Sequence, residues 1–520
     1  MPVLRDTSIP KRTILPQART KSERYLLLLL LAAALLLSNG WFSILDDEAN
    51  AIVVATTPAR QLVSSFLAGN YAHAHPPLPD VLLHAWLWLT GSRYELLRVP
   101  AIGCYLAGIA LLAAAAEKLG GSRGRSLLLW MAVLWPYGFH FARIAGWFEF
   151  SFLSIALLTY TFVAAVDQTR LMPWLWFSLA GLAAVYTNFY AWAVLAMLLI
   201  EVAIRKQRAT WARFAVVLAA LAISYAPAWR LLFNTTERFH QFGAGVQQIV
   251  LLSAYHLYAA LASESAAPWF LPLSLPAILA LAVAATVIAL CARGFARRLL
   301  LYFVVLVVGM SMANAITTKR VLMLTPWLLL GLVLAAGSVA NRRTRTALLV
   351  SLALLAATGW IGVASRRFYA APHFVEPWRS VAQQVAQLWR SDATVISNHP
   401  VFMFNFAYAI GTPWTTHNWT PETSVNSPPA PRVYHTSNWA ARGETPLPGR
   451  IVLVKGAALS GVQPDTDWTQ QQLERLCSRV SVDREVPDIG FAWKQRFFPQ
   501  AGQVPWRIEI RQYDCGTEKR

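Results

Sequence analysis

The chain has 520 residues, 56% of them hydrophobic, and a mean hydropathy of +0.43. A soluble globular domain is nearer to about 45–50% apolar, so the composition indicates a polytopic membrane protein instead. The 45 Lys and Arg against 26 Asp and Glu give a net charge of +19. In a membrane protein such an excess is typical of cytoplasmic loops beside anionic lipid, so we expect no nucleic-acid partner.

The N-terminal segment, residues 1–24, is polar and basic, and an apolar run at 25–45 follows it. No clean small-residue cleavage site ends that run, and many further apolar runs come after it, which disfavours a signal peptide. We therefore predict a first membrane span that starts from a basic cytoplasmic end.

Further spans need about 20 apolar residues each. We place them near 97–117, 126–142, 147–166, 172–187, 188–204, 212–232, 269–291, 299–317, 321–339 and 346–364. The connections then assigned to the cytoplasm are all basic, as in 118–125, 205–213 and 341–345. About eleven spans put everything after Ser365 outside the cytoplasm. The shorter apolar segments 78–91 and 247–263 are predicted to be interfacial helices.

The C-terminal part has no membrane-length apolar run. Its patterns predict helices at 380–390 and 469–480, strands at 393–398, 450–456 and 506–514, and a Pro/Asn/Ser-rich loop at 411–449. Interleaved helices and strands indicate a small α/β domain. We therefore divide the chain into a basic N-terminus (1–24), a membrane module (25–365) whose first outer loop is 46–96, and an extracytoplasmic domain (366–520).

The four cysteines fall into two pairs. Cys104 and Cys291 lie in or at the ends of predicted spans and are most simply buried small residues. Cys477 and Cys515 both lie in the predicted outer domain, where an oxidising exterior would allow a disulfide. No Cys/His spacing resembles a zinc site.

The first outer loop opens with three consecutive acids, Asp46, Asp47 and Glu48, and later carries His73 and His75 before two prolines. The plainest interpretation of the acids is a helix-end cap. Against it, cations recur on the same predicted face, where the positive-inside rule makes them uncommon: Arg98, Arg143, Lys319 and Arg320. An anionic ligand at the outer surface would explain them.

A sugar carried on a polyprenyl phosphate suits this set of residues. Its leaving group is already a stable anion, whereas an ordinary glycoside needs a second carboxyl group to protonate the leaving oxygen. One carboxylate can then act as base on the acceptor while cations hold the phosphate. Such a single displacement inverts the anomeric centre. We assign the phosphate to Arg143 with Lys319 and Arg320.

Short motifs in order along the chain resemble GT-C glycosyltransferases of the protein-mannosyltransferase and aminoarabinose-transferase type. The resemblance covers most of the chain. Its motifs are Asp47-Glu48-Ala49, His75-Pro76-Pro77-Leu78, Leu97-Arg98-Val99-Pro100, WPYGFHFARIAGWFEF (135–150), YTNFYA (186–191), TTKRVLMLTPW (317–327) and FVEPWRSVAQQVA (374–386).

This resemblance implies a polyprenyl-phosphate sugar donor, transfer on the outer face, and an acid of the first outer loop at the catalytic centre. The matching residue is Asp47, with Glu48 beside it, and Asp46, His75 and Arg98 complete the loop and substrate-binding set. The family often has an acid directly after the arginine matched to Arg143, where this chain has Ile144, and Glu149 could substitute. It also often has His at the position of Asn188.

No cofactor is certain from the sequence, although His73 and His75 could hold a divalent metal with Asp47. A histidine before Pro-Pro is more often structural. Two other classes of function remain open: a transporter or flippase of lipid-linked sugars, which should show inverted repeats and broken helices, and a non-catalytic envelope assembly protein. The acceptor, whether glycan, lipid or protein, and the sugar itself are not specified by the sequence.

Overall fold

A computed structural model describes the chain at residues 21–69, 71, 75–91, 93–239, 245–370, 376–411, 432–441, 449–456, 464–485, 493, 496 and 508–516. The predicted cytoplasmic N-terminus lies almost wholly outside these residues. So does His73, and the side chain of Asp46 is not described although its backbone is.

Residues up to Ser365 form a helical module. The apolar runs are rich in Leu and Ala, which favour helix, and a helix satisfies its own backbone groups where no water is available. The helices are α1 (Lys21–Leu37), α2 (Asp46–Thr56), α3 (Ala59–Leu67), α4 (Leu78–Thr90), α5 (Tyr94–Leu97), α6 (Val99–Leu134), α7 (Pro136–Phe141), α8 (Phe148–Ala165), α9 (Leu171–Thr187), α10 (Ala191–Arg205), α11 (Arg208–Ser224), α12 (Ala226–Phe239), α13 (Val246–Ala262), α14 (Leu271–Cys291), α15 (Gly294–Met312), α16 (Thr318–Val321), α17 (Thr325–Ser338) and α18 (Arg342–Ser365).

The predicted count of eleven spans is not confirmed. Among the described residues, six helices are long and apolar enough to cross a membrane when Tyr94–Leu134 is counted as one helix. The count is seven if α11 and the start of α12, bent by 72° from each other, are one span. The predicted spans at 25–45 and 172–187 correspond to shorter apolar helices, Tyr25–Trp41 and Leu171–Thr187. A 17-residue helix such as α9 is about 25 Å long, less than the hydrocarbon core of a typical bilayer.

Helix α6 is a hairpin rather than one rod. Gly121 has φ 69° and ψ −167°, a conformation outside the helical region. A Cβ built on Gly124 would lie 2.7 Å from the carbonyl oxygen of Ala116, whereas eight residues of straight helix would separate them by about 12 Å. The chain therefore reverses at Gly121, between the segments that the sequence predicts as separate spans.

The C-terminal domain contains a five-stranded sheet of order β2-β1-β3-β5-β4. Strand β1 is parallel to β2 and β3, and β5 is antiparallel to β3 and β4. Its described elements are α19 (Trp378–Arg390), β1 (Thr394–Ser397), α20 (Pro400–Ile410), β2 (Val433–His435), α21 (Thr436–Ala441), β3 (Gly449–Gly456), α22 (Pro464–Leu476), β4 (Ser478–Glu485) and β5 (Ile508–Cys515).

The sequence predicts most of this domain, with two differences. The helix predicted at 469–480 ends at Leu476, because the chain bends at Cys477 into a strand, β4, that was not expected. The segment predicted as a loop at 411–449 contains β2 and α21 in its described part. Cys477 and Cys515 are joined by a disulfide, which ties the start of β4 to the end of β5.

The C-terminal domain packs directly on the first loop, the segment 46–96, and on the residues just before it. Ile44 and Ile52 lie in the same apolar cluster as Trp378, Phe402 and Phe406. Because this cluster joins both parts of the chain in one core, the domain fixes the position of the first loop.

Candidate active site

The three acids of the first loop begin a helix instead of ending one. Asp46, Asp47 and Glu48 form the first turn of α2, where negative charge is favourable beside the unpaired backbone N–H groups. Glu48 Oε2 accepts a hydrogen bond from the backbone N–H of Leu45 at 3.0 Å, so it caps its own helix. The plainest interpretation of these acids, a cap at the end of a helix, is therefore wrong, because they start a helix.

Glu48 is fully buried, and its carboxylate is saturated with donors. Arg98 Nε and Nη2 donate to its two oxygens, each at 2.7 Å, and the backbone N–H of Ala145 donates at 2.7 Å. With Leu45, these donors occupy about the four sites that a carboxylate offers. Glu48 therefore has no free lone pair for an acceptor, which argues against a base role for it.

Arg98 has the same fully committed arrangement. Besides Glu48, it donates to the carbonyl oxygens of Asn39 at 2.6 Å, Phe42 at 3.3 Å and Ser43 at 2.9 Å. A guanidinium has about five N–H donors, and these bonds use all of them. The geometry therefore argues against the predicted contact of Arg98 with substrate. Arg98 instead holds the backbone of the residues before α2 in place.

Asp47 and Lys319 form an ion pair that is open to solvent. Their side chains are 38% and 27% exposed, in contrast to the buried Glu48 beside them. Lys319 Nζ also lies 5.8 Å from the centroid of the Phe148 ring. The structure thus brings together the predicted catalytic acid and one predicted phosphate ligand from segments about 270 residues apart.

Arg320 lies beside this pair on the short helix α16. Its Nη1 donates to the carbonyl of Ala315 at 2.6 Å. The hydroxyl of Tyr137 donates to the carbonyl of Thr318, so the α7 segment supports the same helix. Arg320 is therefore next to Lys319 in the chain, while its guanidinium bonds to its own loop, and its role as a phosphate ligand stays a prediction.

Arg143 is fully buried and lies in an aromatic enclosure. Its guanidinium carbon is 4.2 Å from the ring centroid of Phe139, 4.8 Å from that of Phe42 and 5.5 Å from that of Trp41. Nε donates to the carbonyl of Phe139 at 3.0 Å and Nη1 to that of Ser38 at 3.2 Å.

No carboxylate in the described part of the chain pairs with Arg143, and its Nη2 has no hydrogen-bond partner there. Burial lowers the pKa of its guanidinium to about 9, and repulsion from Arg98 and Arg366 acts in the same direction. The group still carries its charge at neutral pH. A buried cation with an unused donor is suited to an anionic ligand.

His75 turns away from Asp47. Its Nδ1 lies 3.8 Å from Oδ2 of Asp80, which also accepts a 2.7 Å hydrogen bond from the hydroxyl of Tyr71. The ring packs against Trp147 at 5.2 Å between centroids. This buried cluster fixes the return of the first loop, and the structure gives no support to a metal bridging His75 and Asp47.

Within the described residues, no group of three or more His, Cys, Asp and Glu side chains could hold a metal ion. His73, one of the proposed ligands, lies outside those residues. The predicted divalent metal therefore stays a prediction.

A backbone clamp from the C-terminal domain lies just before α2. Asn405 Oδ1 accepts from the backbone N–H of Ile44 at 3.2 Å, and Asn405 Nδ2 donates to the carbonyl of Ile44 at 3.4 Å. Ser43 Oγ donates to the carbonyl of Glu376 at 2.8 Å and accepts from the backbone N–H of Arg379 at 3.0 Å. No local sequence pattern predicts these contacts, because they join residues more than 330 positions apart.

No protein-family model matches this chain, and no curated protein matches it by sequence. Solved structures share its fold. ArnT from Cupriavidus metallidurans bound to undecaprenyl phosphate superposes with a TM-score of 0.53 and 11% identity, over 95% of this chain and 98% of ArnT. The apo state gives a TM-score of 0.52 and 13% identity, over 94% and 98%. An oligosaccharyltransferase from Archaeoglobus fulgidus has a TM-score of 0.39 and 12% identity, over 74% and 61%.

The likeness to ArnT, an aminoarabinose transferase, extends over nearly the whole of both chains. It shows that this chain has a GT-C-like fold, in which a helical membrane module carries a small C-terminal sheet domain. The fold that the motifs imply is therefore confirmed.

Proposed function

We propose that this chain is a membrane glycosyltransferase that moves a sugar from a polyprenyl-phosphate donor to an acceptor on the outer face of the membrane. The observation that carries the proposal is the buried Arg143, which has an unused Nη2 donor among the described residues and lies five residues before Phe148, whose ring borders Lys319, the partner of Asp47. The backbone of Ala145 bonds to Glu48, the neighbour of Asp47, and this contact supports treating the two features as one site. The fold shared with ArnT, solved with undecaprenyl phosphate, supports the same donor class.

In this mechanism Asp47 is the base. It takes a proton from the acceptor nucleophile as that atom attacks the anomeric carbon. The bond from the anomeric carbon to the phosphate oxygen breaks on the opposite side, which inverts the anomeric centre. The electron pair of that bond leaves with the polyprenyl phosphate, whose charge Arg143, Lys319 and Arg320 stabilise.

The ion pair between Asp47 and Lys319 couples the two halves of the site. A bound phosphate competes for Lys319 and so releases the Asp47 carboxylate to accept a proton. Because both side chains are partly exposed, this exchange of partners costs little compared with the disruption of a buried pair. The base is thereby active when the donor is present.

The proposal includes a topology in which the loops at 118–125, 205–213 and 341–345 face the cytoplasm and the C-terminal domain (366–520) lies outside. The disulfide between Cys477 and Cys515 supports an oxidising compartment for that domain. Reporter fusions at the C-terminus should report a non-cytoplasmic location, and a cytoplasmic signal would contradict both the topology and the site of transfer.

Ligand binding tests the proposal directly. Undecaprenyl phosphate should raise the melting temperature of the purified protein, because a ligand that binds only the folded state stabilises it by about 2.7 kcal/mol at a hundredfold excess over Kd. Undecaprenol, which lacks the phosphate, is the matched control and should have little effect. Equal shifts in melting temperature with both lipids would show that the site binds only the hydrocarbon chain, and would contradict the proposed role of Arg143 in binding the phosphate.

A further inference from the structure

Glu149 is a fully buried carboxyl group that no step above uses. It lies in the first turn of α8 and is 0% exposed. Neither of its carboxyl oxygens has a hydrogen-bond partner on another of the described residues. It differs in this from the other two fully buried glutamates there, Glu48 and Glu201, which are held by arginines.

The segment that carries Glu149 contacts both the first loop and Lys319. Ala145 bonds to Glu48, the Trp147 ring packs on His75, and the Phe148 ring lies under Lys319. Glu149 is next in this series. Of these three contacts, those to Glu48 and His75 hold the first loop, and the one to Lys319 reaches a proposed phosphate ligand. The carboxyl group of Glu149 follows directly after Phe148, and no described contact uses it.

A second buried polar group faces the same region. Tyr105, on α6, packs its ring at 5.4 Å between centroids against Phe152, which lies three residues after Glu149 on α8. The hydroxyl of Tyr105 also has no hydrogen-bond partner in the described part of the chain. Tyr137 and Glu48 are electrostatic neighbours of Glu149. The region thus combines two carboxyl oxygens and one hydroxyl that could bind a polar ligand.

Leaving these groups unpaired is costly. A buried polar group without a partner destabilises a protein by about 1–3 kcal/mol, and a carboxyl group costs more when it is ionised. A leucine at position 149 would fill a similar volume without this cost. A residue that destabilises the ligand-free protein in this way is expected at a ligand site, because the bound ligand supplies the missing hydrogen bonds.

We infer that Glu149, together with Tyr105, forms a hydrogen-bonding subsite for a hydroxyl or amino substituent of the transferred sugar. This inference rests on the proposed function and makes Glu149 a specificity-determining residue. A sugar hydroxyl can donate to the carboxyl group and accept from the tyrosine, whereas an amino substituent can donate to the carboxyl group. A sugar that lacks this substituent would leave both buried groups unpaired. Sites built to hydrogen-bond a substrate group strongly discriminate against the analogue that lacks the group.

The test compares Glu149→Leu with wild type in two measurements. The first is the melting temperature of the ligand-free protein, which should rise by about 2–4 °C when the unpaired group is removed. The second is the apparent affinity for a panel of undecaprenyl-phosphate monosaccharides: a hexose, an N-acetylhexosamine, a pentose and a 4-amino pentose. Affinity for the preferred member should fall roughly ten- to a hundredfold, and the preference should flatten.

Glu201→Leu is the matched control, because Glu201 is equally buried but pairs with Arg298 and Arg205. It should lower the melting temperature. Tyr105→Phe should flatten the same donor preference as Glu149→Leu. A fall in melting temperature for Glu149→Leu, or an unchanged donor preference, would show that Glu149 holds only the fold or a water molecule.

Failure of the inference is distinguishable from failure of the proposed function. If wild type transfers a sugar from any member of the panel and Glu149→Leu does so with the same preference, the glycosyltransferase proposal stands and the subsite is wrong. If undecaprenyl phosphate does not bind wild type at all, the proposed function fails and the inference fails with it.

Discussion

Arg98 and Glu48 form a buried ion pair in which Nε and Nη2 each lie 2.7 Å from a carboxylate oxygen. The pair joins the start of α6 to the first turn of α2, and Ala145 attaches the segment before α8 to the same carboxylate. These charges therefore assemble the site, while the neighbouring Asp47 is exposed enough to react.

The first prediction concerns this pair. Glu48→Gln should lower the free energy of unfolding by about 3–5 kcal/mol, because it leaves the Arg98 charge buried and uncompensated. Thermal unfolding of the purified protein measures the effect. The double variant Glu48→Gln/Arg98→Met should lose less stability than the sum of its two single variants, since the second substitution removes the charge that the first leaves uncompensated. Additive losses would show that the two residues do not act as a pair.

The second prediction concerns the phosphate. Arg143→Ala should weaken the binding of undecaprenyl phosphate roughly ten- to a hundredfold, because one charge-assisted hydrogen bond contributes about 1.5–3 kcal/mol. Arg143→Lys keeps the charge but loses the planar fork, so it should recover only part of the affinity. Arg367→Ala, an exposed arginine, is the control and should bind normally. Normal binding by Arg143→Ala would remove this residue from the donor site.

The third prediction concerns the clamp on Ile44. Asn405→Leu removes both hydrogen bonds to that backbone, so α2 and Asp47 should lose their alignment. Turnover should fall roughly ten- to a hundredfold, while the KM for the donor stays near its wild-type value because the phosphate ligands lie elsewhere. Initial rates over a range of donor concentrations separate kcat from KM.

Asn398 provides the matched control for this clamp. It bonds to the backbone of Gly456 in the same two-sided way, at 2.9 and 3.2 Å, within the C-terminal domain. Asn398→Leu should reduce stability without the selective loss of kcat. If the two variants behave alike, Asn405 contributes to folding only.

The fourth prediction is a pH dependence of stability. Burial, with repulsion from His435, lowers the pKa of His399 from 6.5 to about 4. The unfolded chain therefore binds a proton near pH 6.5 while the folded chain does not, so stability should fall as the pH drops from 6.5 to 4. The loss is up to roughly 3 kcal/mol.

Melting temperatures of wild type and His399→Phe across this range measure that dependence. Phenylalanine keeps an aromatic ring against Trp378, on which the His399 ring stacks at 4.5 Å between centroids. The difference between the two proteins should be constant above pH 6.5 and should change steadily below it. Parallel curves down to pH 4 would contradict the shifted pKa.

Local patterns predict much of the fold. The helical period of the apolar residues at 380–390 predicts α19, and the alternation of apolar and polar residues at 506–514 predicts β5. Each pattern marks the face of the element that packs against the core. The number of spans was harder to predict from the sequence, because short helices such as α9 and the reversal at Gly121 depend on packing between distant segments.

The sequence argument for the site used charge on the predicted outer face. It singled out Lys319, which pairs with Asp47, and Arg143, which is buried with an unused donor among the described residues. The same argument also selected Arg98, which is neutralised by Glu48. Sequence charge does not reveal whether a cation has a buried partner. The contact of Asn405 with Ile44 and the missing partners of Glu149 likewise exist only in the folded chain.

The most direct test of the central claim is the turnover of purified Asp47→Asn with an undecaprenyl-phosphate sugar and its acceptor. The substitution keeps the size of the side chain but removes the basic site. It should slow transfer by roughly 10²–10⁴, while undecaprenyl phosphate binds at least as well because Lys319 is released from its partner. Asp46→Asn, the adjacent acid, should retain most activity. Transfer at the wild-type rate by Asp47→Asn would contradict the account.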